Sequence, residues 1–295
     1  MKCYKRKAAI FGIVVAVAAF AWILLKPSEP SYKGKSINYW LNPWAHGGKE
    51  NAEEISEAFR SMGEKAVPFL VRKLQWEPSK TNQKAHRFFP NWLPGILHEQ
   101  GASDPRNAAA HALGEIGDAA RSSIPQLEVA ASLSDLGSSW AVNVAAKAAL
   151  IKIKQESLFP YIEKLKDKSD LNTWYQNAMM LGEFGTNAAG AVPLLVESLD
   201  STNHPVIQAH AAIALGMIHS QPELCIEELA AMLKSPNVVL RQKAIFALPQ
   251  FGAAAKPAWS EMVICLQDSD SWTRQSATNA LKQIDPDAAK SAGVK

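Results

Sequence analysis

Apolar positions along most of this chain follow one recurring pattern. The hexads Ala112-Leu113-Gly114-Glu115-Ile116-Gly117 and Met180-Leu181-Gly182-Glu183-Phe184-Gly185 set it, with Ala214-Leu215-Gly216-Met217-Ile218 close behind. Looser copies surround Phe59, Leu150, Leu248 and Leu281. The aligned apolar residue falls at 59, 113, 150, 181, 215, 248 and 281, so that from 113 onward each step is 31 to 37 residues. A fixed period in the thirties predicts a two-helix unit stacked in a row.

Each unit is physically coherent as a helical hairpin. Its first half carries small and apolar residues at helical spacing, as at Ala244, Ala247 and Leu248, which predicts a narrow buried face. A glycine follows where the chain must reverse, because glycine tolerates a left-handed cap. Pro68, Pro125, Pro193 and Pro257 come next, near the start of the second helix, where a missing N–H costs nothing. The second helix is apolar at i and i+4, as in Leu195 and Leu199. No hairpin can bury its face alone. The fold class expected is therefore all-α, a solenoid of about seven hairpins over residues 51–290.

These hexads, together with Ile124-Pro125 and Val192-Pro193-Leu194-Leu195, resemble the HEAT repeat family, in particular the bacterial repeats related to phycobilin lyases. The resemblance covers about 51–290 and implies the solenoid fold, while such repeats serve many unrelated roles. It also implies an Asp or Asn at one unit's end bonding an Arg at the next unit's start. Asn237 with Arg241 and Asp270 with Arg274 match that pattern, whereas the units opening near Trp140, Trp174 and Gln208 lack the Arg. In such solenoids the second helices line the concave, partner-binding side. Arg72, Glu128, Glu163, Lys164, Glu197 and Glu228 are the candidates expected there, mixed in sign, and an ordinary solvated helix face is the competing explanation for them.

The period breaks once. Between the first two aligned positions lie 54 residues, and the excess, about 76–103, is rich in proline and aromatics. It should form a loop on one side of the stack. Its Trp76, Phe88, Phe89 and Trp92 are candidate partner-binding anchors, since aromatic side chains dominate interface hot spots, although such rings can equally fold back onto the scaffold.

Upstream the pattern changes kind. Lys2, Lys5, Arg6 and Lys7 form a basic stub over residues 1–7, and residues 8–25 carry no charge. As a helix those 18 residues rise about 27 Å, close to the roughly 30 Å of bilayer hydrocarbon. The basic flank predicts a cytoplasmic N-terminus, a signal anchor at 8–25 and a repeat body outside the cytoplasm. A signal peptide cleaved after Ala19-Phe20-Ala21 is the alternative, giving a secreted or periplasmic chain. Residues 26–50 read as a linker, stiffened by Pro27 and Pro30, with a short helix capped by Ser36 and running to Leu41. Without the stub's four cations the chain carries 27 basic against 28 acidic side chains, so its pI of 8.6 is no argument for nucleic acid.

Candidate chemistry is sparse. The seven histidines lie no closer than six residues apart, whereas helical metal ligands need i and i+3 or i+4. His111 shares a column with Met179, Ile213 and Phe246, which predicts a partly buried structural histidine. His210 shares one with Lys243 and Ser276, which predicts exposure to solvent. Some HEAT enzymes hold two irons with several His-Glu pairs. Here His98-Glu99 is a single pair inside the insertion. Gly34-Lys35-Ser36 lacks the rest of a phosphate loop, and no Gly-x-Ser-x-Gly occurs. Cys225 and Cys265 are expected as buried free thiols, too far apart along their helices to bridge. The sequence points to a non-enzymatic protein-binding scaffold in the cell envelope, with no catalytic, metal or cofactor residues, no nucleic acid and no evident small-molecule substrate. The alternative is a lyase-like or metal-dependent enzyme acting on a protein-bound group.

Overall fold

The computed structural model describes residues 29–42, 52–75, 104–132, 139–200 and 204–291. The expected anchor at 8–25 and the insertion at 76–103 lie outside the described residues. Among the described residues no helix is long and apolar enough to cross a membrane.

Among the described residues seven helical pairs follow one another, the last six at the predicted period. Their first helices are α2 (Ala52–Met62), α4 (Pro105–Ile116), α6 (Ser139–Lys154), α8 (Leu171–Gly182), α10 (Pro205–Ile218), α12 (Val238–Ala247) and α14 (Ser271–Ile284). Their second helices are α3 (Val67–Leu74), α5 (Ile124–Ala131), α7 (Phe159–Glu163), α9 (Val192–Glu197), α11 (Pro222–Met232), α13 (Trp259–Ile264) and α15 (Pro286–Ser291). Successive first helices pack on one another in one layer and the second helices form another, so the chain is an all-α helical-repeat solenoid.

A short element precedes α2. Ser31–Tyr32 (β1) and Lys35–Ser36 (β2) form an antiparallel hairpin, turned by Lys33 and Gly34 at positive φ, and α1 (Ile37–Leu41) follows. Within the linker expected over 26–50, residues 29–42 are described and form an ordered lid on the first repeat. Ile37 and Trp40 are fully buried, and Trp40 packs edge-on against Tyr32 at 5.6 Å. Ser36 stands at the N-cap as expected but makes no side-chain cap bond.

The two glycine columns do different work. Gly63, Gly117, Gly185 and Gly252 all take positive φ at the hairpin reversal, as the pattern implied. Gly117 and Gly252 have ψ of −134°, however, a mirror-β conformation closed to other residues rather than a left-handed cap. Unit five places His219 at this point in the left-handed region, and unit three runs one residue longer to Gln155. The other column, Gly114, Gly182 and Gly216, is where neighbouring first helices touch. A Cβ on Gly216 would lie 2.8 Å from the Ala247 Cα, so only hydrogen fits.

Helix starts are capped at the same period. Asp104, Asp170, His204, Asn237 and Asp270 each accept a backbone N–H of the first helix they open. Asn237 and Asp270 thus serve their own helices, and the expected pairs with Arg241 and Arg274 are replaced by another arrangement. Arg241 makes a two-pronged ion pair to Asp268 at 2.7 and 2.8 Å, and its third nitrogen donates to the Ser235 and Pro236 carbonyls. Arg274 donates to the Asp268 and Ser269 carbonyls.

Units without the arginine keep its function. At the same position Asn143 donates to the Ala131 carbonyl, Trp174 to Leu165 at 2.9 Å and Gln208 to Asp200. The column is a ladder of donors satisfying carbonyls at the end of the preceding second helix or in the turn just beyond it. Any side chain with an N–H of suitable reach can fill it, which is why the arginine pattern alone made the ladder look partial.

The buried side chains fall into two clusters. One runs from Ile37 to Ile153, the other from Val144 to Ala289. They meet on α6, which sends Val142, Ala145, Ala146, Ala149 and Ile153 to the first and Val144, Ala148 and Ile151 to the second. Its partner α7 buries no residue.

Candidate functional site

Among the described residues the second-helix layer carries a concavity built by units five and six. α11 begins after Gln221, with Pro222 in its first turn, and turns Cys225, Ile226, Leu229 and Met232 inward. This spacing forces Glu223, Glu227, Glu228 and Ala231 outward. Beside α11 runs the 3-10 segment Leu248–Ala258, where Pro257 prepares the turn into α13. Between them lies a groove of about 620 Å³, with Ile226, Ala230, Ala231, Ala254, Pro222 and Pro257 as apolar lining and Glu223, Glu227, Glu261 and Lys234 as charged lining.

Charge around the groove is unevenly compensated. Lys234 pairs with Glu261 at 3.3 Å, and the Ser260 hydroxyl donates to Glu261 at 2.9 Å. Ser260 first, and Lys234 after it, hold the Glu261 carboxyl below its ordinary range. Lys256, the other cation nearby in sequence, is engaged by Asp285 at 2.7 Å. Glu223, Glu227 and Glu228 have no cationic partner among the described residues. Cys225 sits on the buried face of α11, a free thiol pushed up to about 12 by burial, then by the Glu223 charge, so it is an inert core residue. Cys265 is likewise free and buried.

The residues expected to face a partner sit on this same layer in differing states. Arg72 is exposed near the end of α3, and Glu228 is exposed on α11 beside the groove. Glu128 pairs with Lys154 at 3.1 Å, Glu163 with Lys166 at 2.8 Å, and Glu197 with Lys168 at 3.7 Å. Lys164 stands 5.1 Å from the Tyr161 ring. These six are distributed over α3, α5, α7 and the 3-10 turn that follows it, α9 and α11. Trp76, Phe88, Phe89 and Trp92 lie outside the described residues, as does His98-Glu99.

Glu223, Glu227 and Glu261 escaped the sequence reading. A signal was present, for no basic residue occurs between Gln221 and Leu233 while acids stand at 223, 227 and 228. Nothing in the sequence, however, shows that the neighbouring unit leaves a trough beside that helix.

The first-helix layer carries a separate polar network. Lys152 bonds Glu115 at 2.7 Å, with Arg60 3.7 Å from the same carboxylate. Burial alone would raise Glu115, but the Lys152 bond and charge outweigh it and the carboxyl is lowered. His111, half-exposed, reaches Glu183 at 3.2 Å, two units away. Its column is the partly covered one expected at Met179 and Ile213, whereas Phe246 is exposed. His210 departs from expectation. It is half-buried, stacked 4.8 Å from Tyr175, with Nδ1 2.8 Å from the Val206 carbonyl. Burial, reinforced by Lys243, lowers its pKa. The reason is that Tyr175, in the preceding unit, covers the face that sequence alone left open. Among the described residues no three His, Cys, Asp or Glu side chains are grouped to hold a metal ion.

No protein-family model matches the chain, and no curated protein matches it. Among solved structures it is similar to human deoxyhypusine hydroxylase in complex with glycerol, with 20% identity and a TM-score of 0.41, over 83% of this chain and 84% of that one. It is also similar to the karyopherin Kap121p bound to the extreme C-terminus of the phosphatase Cdc14p, at 12% identity, TM-score 0.43 and 83% of this chain. Kap121p bound to Nup53p gives 12%, 0.42 and 86%. In both karyopherin comparisons the match spans 28% of that longer chain.

Proposed function

We propose that the chain is a non-enzymatic protein-binding scaffold of the HEAT type, held in the cell envelope by residues 8–25 with its repeats outside the cytoplasm. The observation that supports this reading is the groove beside α11. It is an open, apolar-floored trough on a repeat stack, rimmed by Glu223 and Glu227, which have no cationic partner among the described residues. Repeat stacks offer long surfaces of this kind, and partner binding is what such a surface does without any further chemistry. The basic stub before an uncharged run supports the topology.

Two measurements test the reading together. A reporter active only outside the cytoplasm, fused after Lys295, should be active in a protein that stays with membranes after a carbonate wash. Crosslinking of the native membrane form should then recover a defined protein partner. Stoichiometric iron in the purified chain, with no partner recovered, would instead establish the metal-dependent enzyme.

A further inference from the structure

The groove between α11 and unit six has a shape and a charge that select its occupant. We infer that it seats an extended, cationic segment of a partner protein, with Lys or Arg at alternate positions and an apolar residue between them. This rests on the protein-binding reading above and specifies the partner's chemistry.

Three observations combine. Glu223 and Glu227 are four residues apart on α11, so they stand about 6 Å apart along the helix axis on one face. Alternate residues of an extended chain are spaced by about 6.6 Å. One strand laid along the groove therefore presents a cation to each carboxylate in register. Next, the cation that the groove does contain is already used, because Lys234 is paired with Glu261. The net charge at the rim is left negative, and a segment rich in Lys or Arg is the complementary occupant. Finally, the facing wall of the groove, Ala254 and Pro257, is apolar, and the residue between two cations projects from the opposite face of an extended chain, toward that wall, where its coverage is rewarded.

The same observations argue against a small polyamine. The two carboxylates are exposed, and exposed ion pairs contribute little by themselves. Useful affinity needs apolar coverage in the same ligand, and a peptide supplies both. A simple diamine supplies only the charge.

The experiment uses the full chain in detergent, panned against a displayed library of random dodecapeptides. Selected sequences are then synthesised and titrated by fluorescence anisotropy. Enrichment in Lys or Arg at alternate positions around an apolar residue is expected. Glu223→Lys with Glu227→Lys should weaken those peptides by at least about tenfold, a loss of charge complementarity. Ala231→Trp, which fills the trough at an exposed position without changing charge, should weaken them as much while melting stays unchanged. Raising salt from about 0.1 to about 0.5 M should weaken wild-type binding, because screening shortens the reach of exposed charges.

Selection of acidic or neutral peptides would overturn the assignment. So would equal binding by Ala231→Trp, or competition by spermine at the peptide's own affinity, which would mean a small-cation site. If crosslinked native partners survive both variants, the scaffold reading stands and the groove is not its seat. If wild type recovers no partner and selects no peptide, both fall.

Discussion

The first three units and the last four are held together in different ways. The N-terminal cluster, Ile37 to Ile153, is closed at its outer end by the β-hairpin lid with Trp40, and units two and three interlock where Gly114 meets Ala149. The C-terminal cluster, Val144 to Ala289, has no such lid among the described residues. Its last two units are tied instead by the Arg241–Asp268 ion pair and by Gln242 bonded to Asp270 at 3.0 Å. Only α6 belongs to both clusters. Three of its side chains serve the second cluster, and much of what else crosses is polar: His111 to Glu183, Lys147 to Gln176, and Lys152 over the Phe184 ring. The described repeats thus carry two buried clusters, and because each unit is stabilised mainly by its immediate neighbours the two are expected to behave as separate bodies in energetics.

The largest effect should come from the start of the second body. Trp174 is 1% exposed and bonded to the Leu165 carbonyl. Trp174→Ala should cost about 3–5 kcal/mol, the range for large aromatic truncations in a core. If the seam is real, hydrogen exchange in this variant will accelerate across α8 to α14 while α1 to α5 stay protected. Simultaneous loss of protection in both halves would show one cooperative body.

A smaller effect sharpens the contrast at the C-terminal end. Arg241 and Asp268 are 13% and 8% exposed, so their ion pair is well covered. Asp268→Asn should cost about 1.5–3 kcal/mol at neutral pH, the range for hydrogen bonds to a charged group. The sign of its pH dependence follows from Arg241, which holds the Asp268 carboxyl below its ordinary value. That stabilisation is fully present above the unfolded pKa of about 3.9 and is lost as pH falls through the lower folded value. Urea titrations from pH 6 to pH 2.5 should show wild type losing its advantage over Asp268→Asn only below about pH 4. A difference constant across that range would mean that the ion pair contributes nothing.

The smallest effect concerns the seam itself. His111 is half-exposed, so removing its bond to Glu183 should cost under about 1 kcal/mol. In a double-mutant cycle His111→Ala and Glu183→Ala should nevertheless couple, and either change should separate the unfolding of the two bodies further. Additive losses with no separation would leave the clasp without a role.

The groove was harder to read in advance than the fold, for a definite reason. The carboxylates of α11 are visible along the chain as acids at i and i+4. The trough beside them is walled on its other side by the next unit's 3-10 segment Leu248–Ala258, and the pattern of apolar positions does not encode how closely that segment approaches α11. His210 is a similar case. Its own helix suggested exposure, and the ring of Tyr175 from the unit before it decided otherwise.

What the sequence determined alone is everything that repeats: the seven hairpins, their reversal glycines, their prolines and the two buried thiols. Periodicity reports which side of each helix faces the stack, and that is a local property of 3.6 residues per turn. Only the tertiary structure decided what differs between units. It replaced a partial arginine ladder by a donor ladder in which Asn143, Trp174 and Gln208 serve as well as arginine. It assigned Gly114, Gly182 and Gly216 to close helix contacts, folded residues 31–41 into a lid, and divided one period into two bodies. These outcomes depend on distances between units, and such distances are set by the shapes of two surfaces meeting, which neither surface carries by itself.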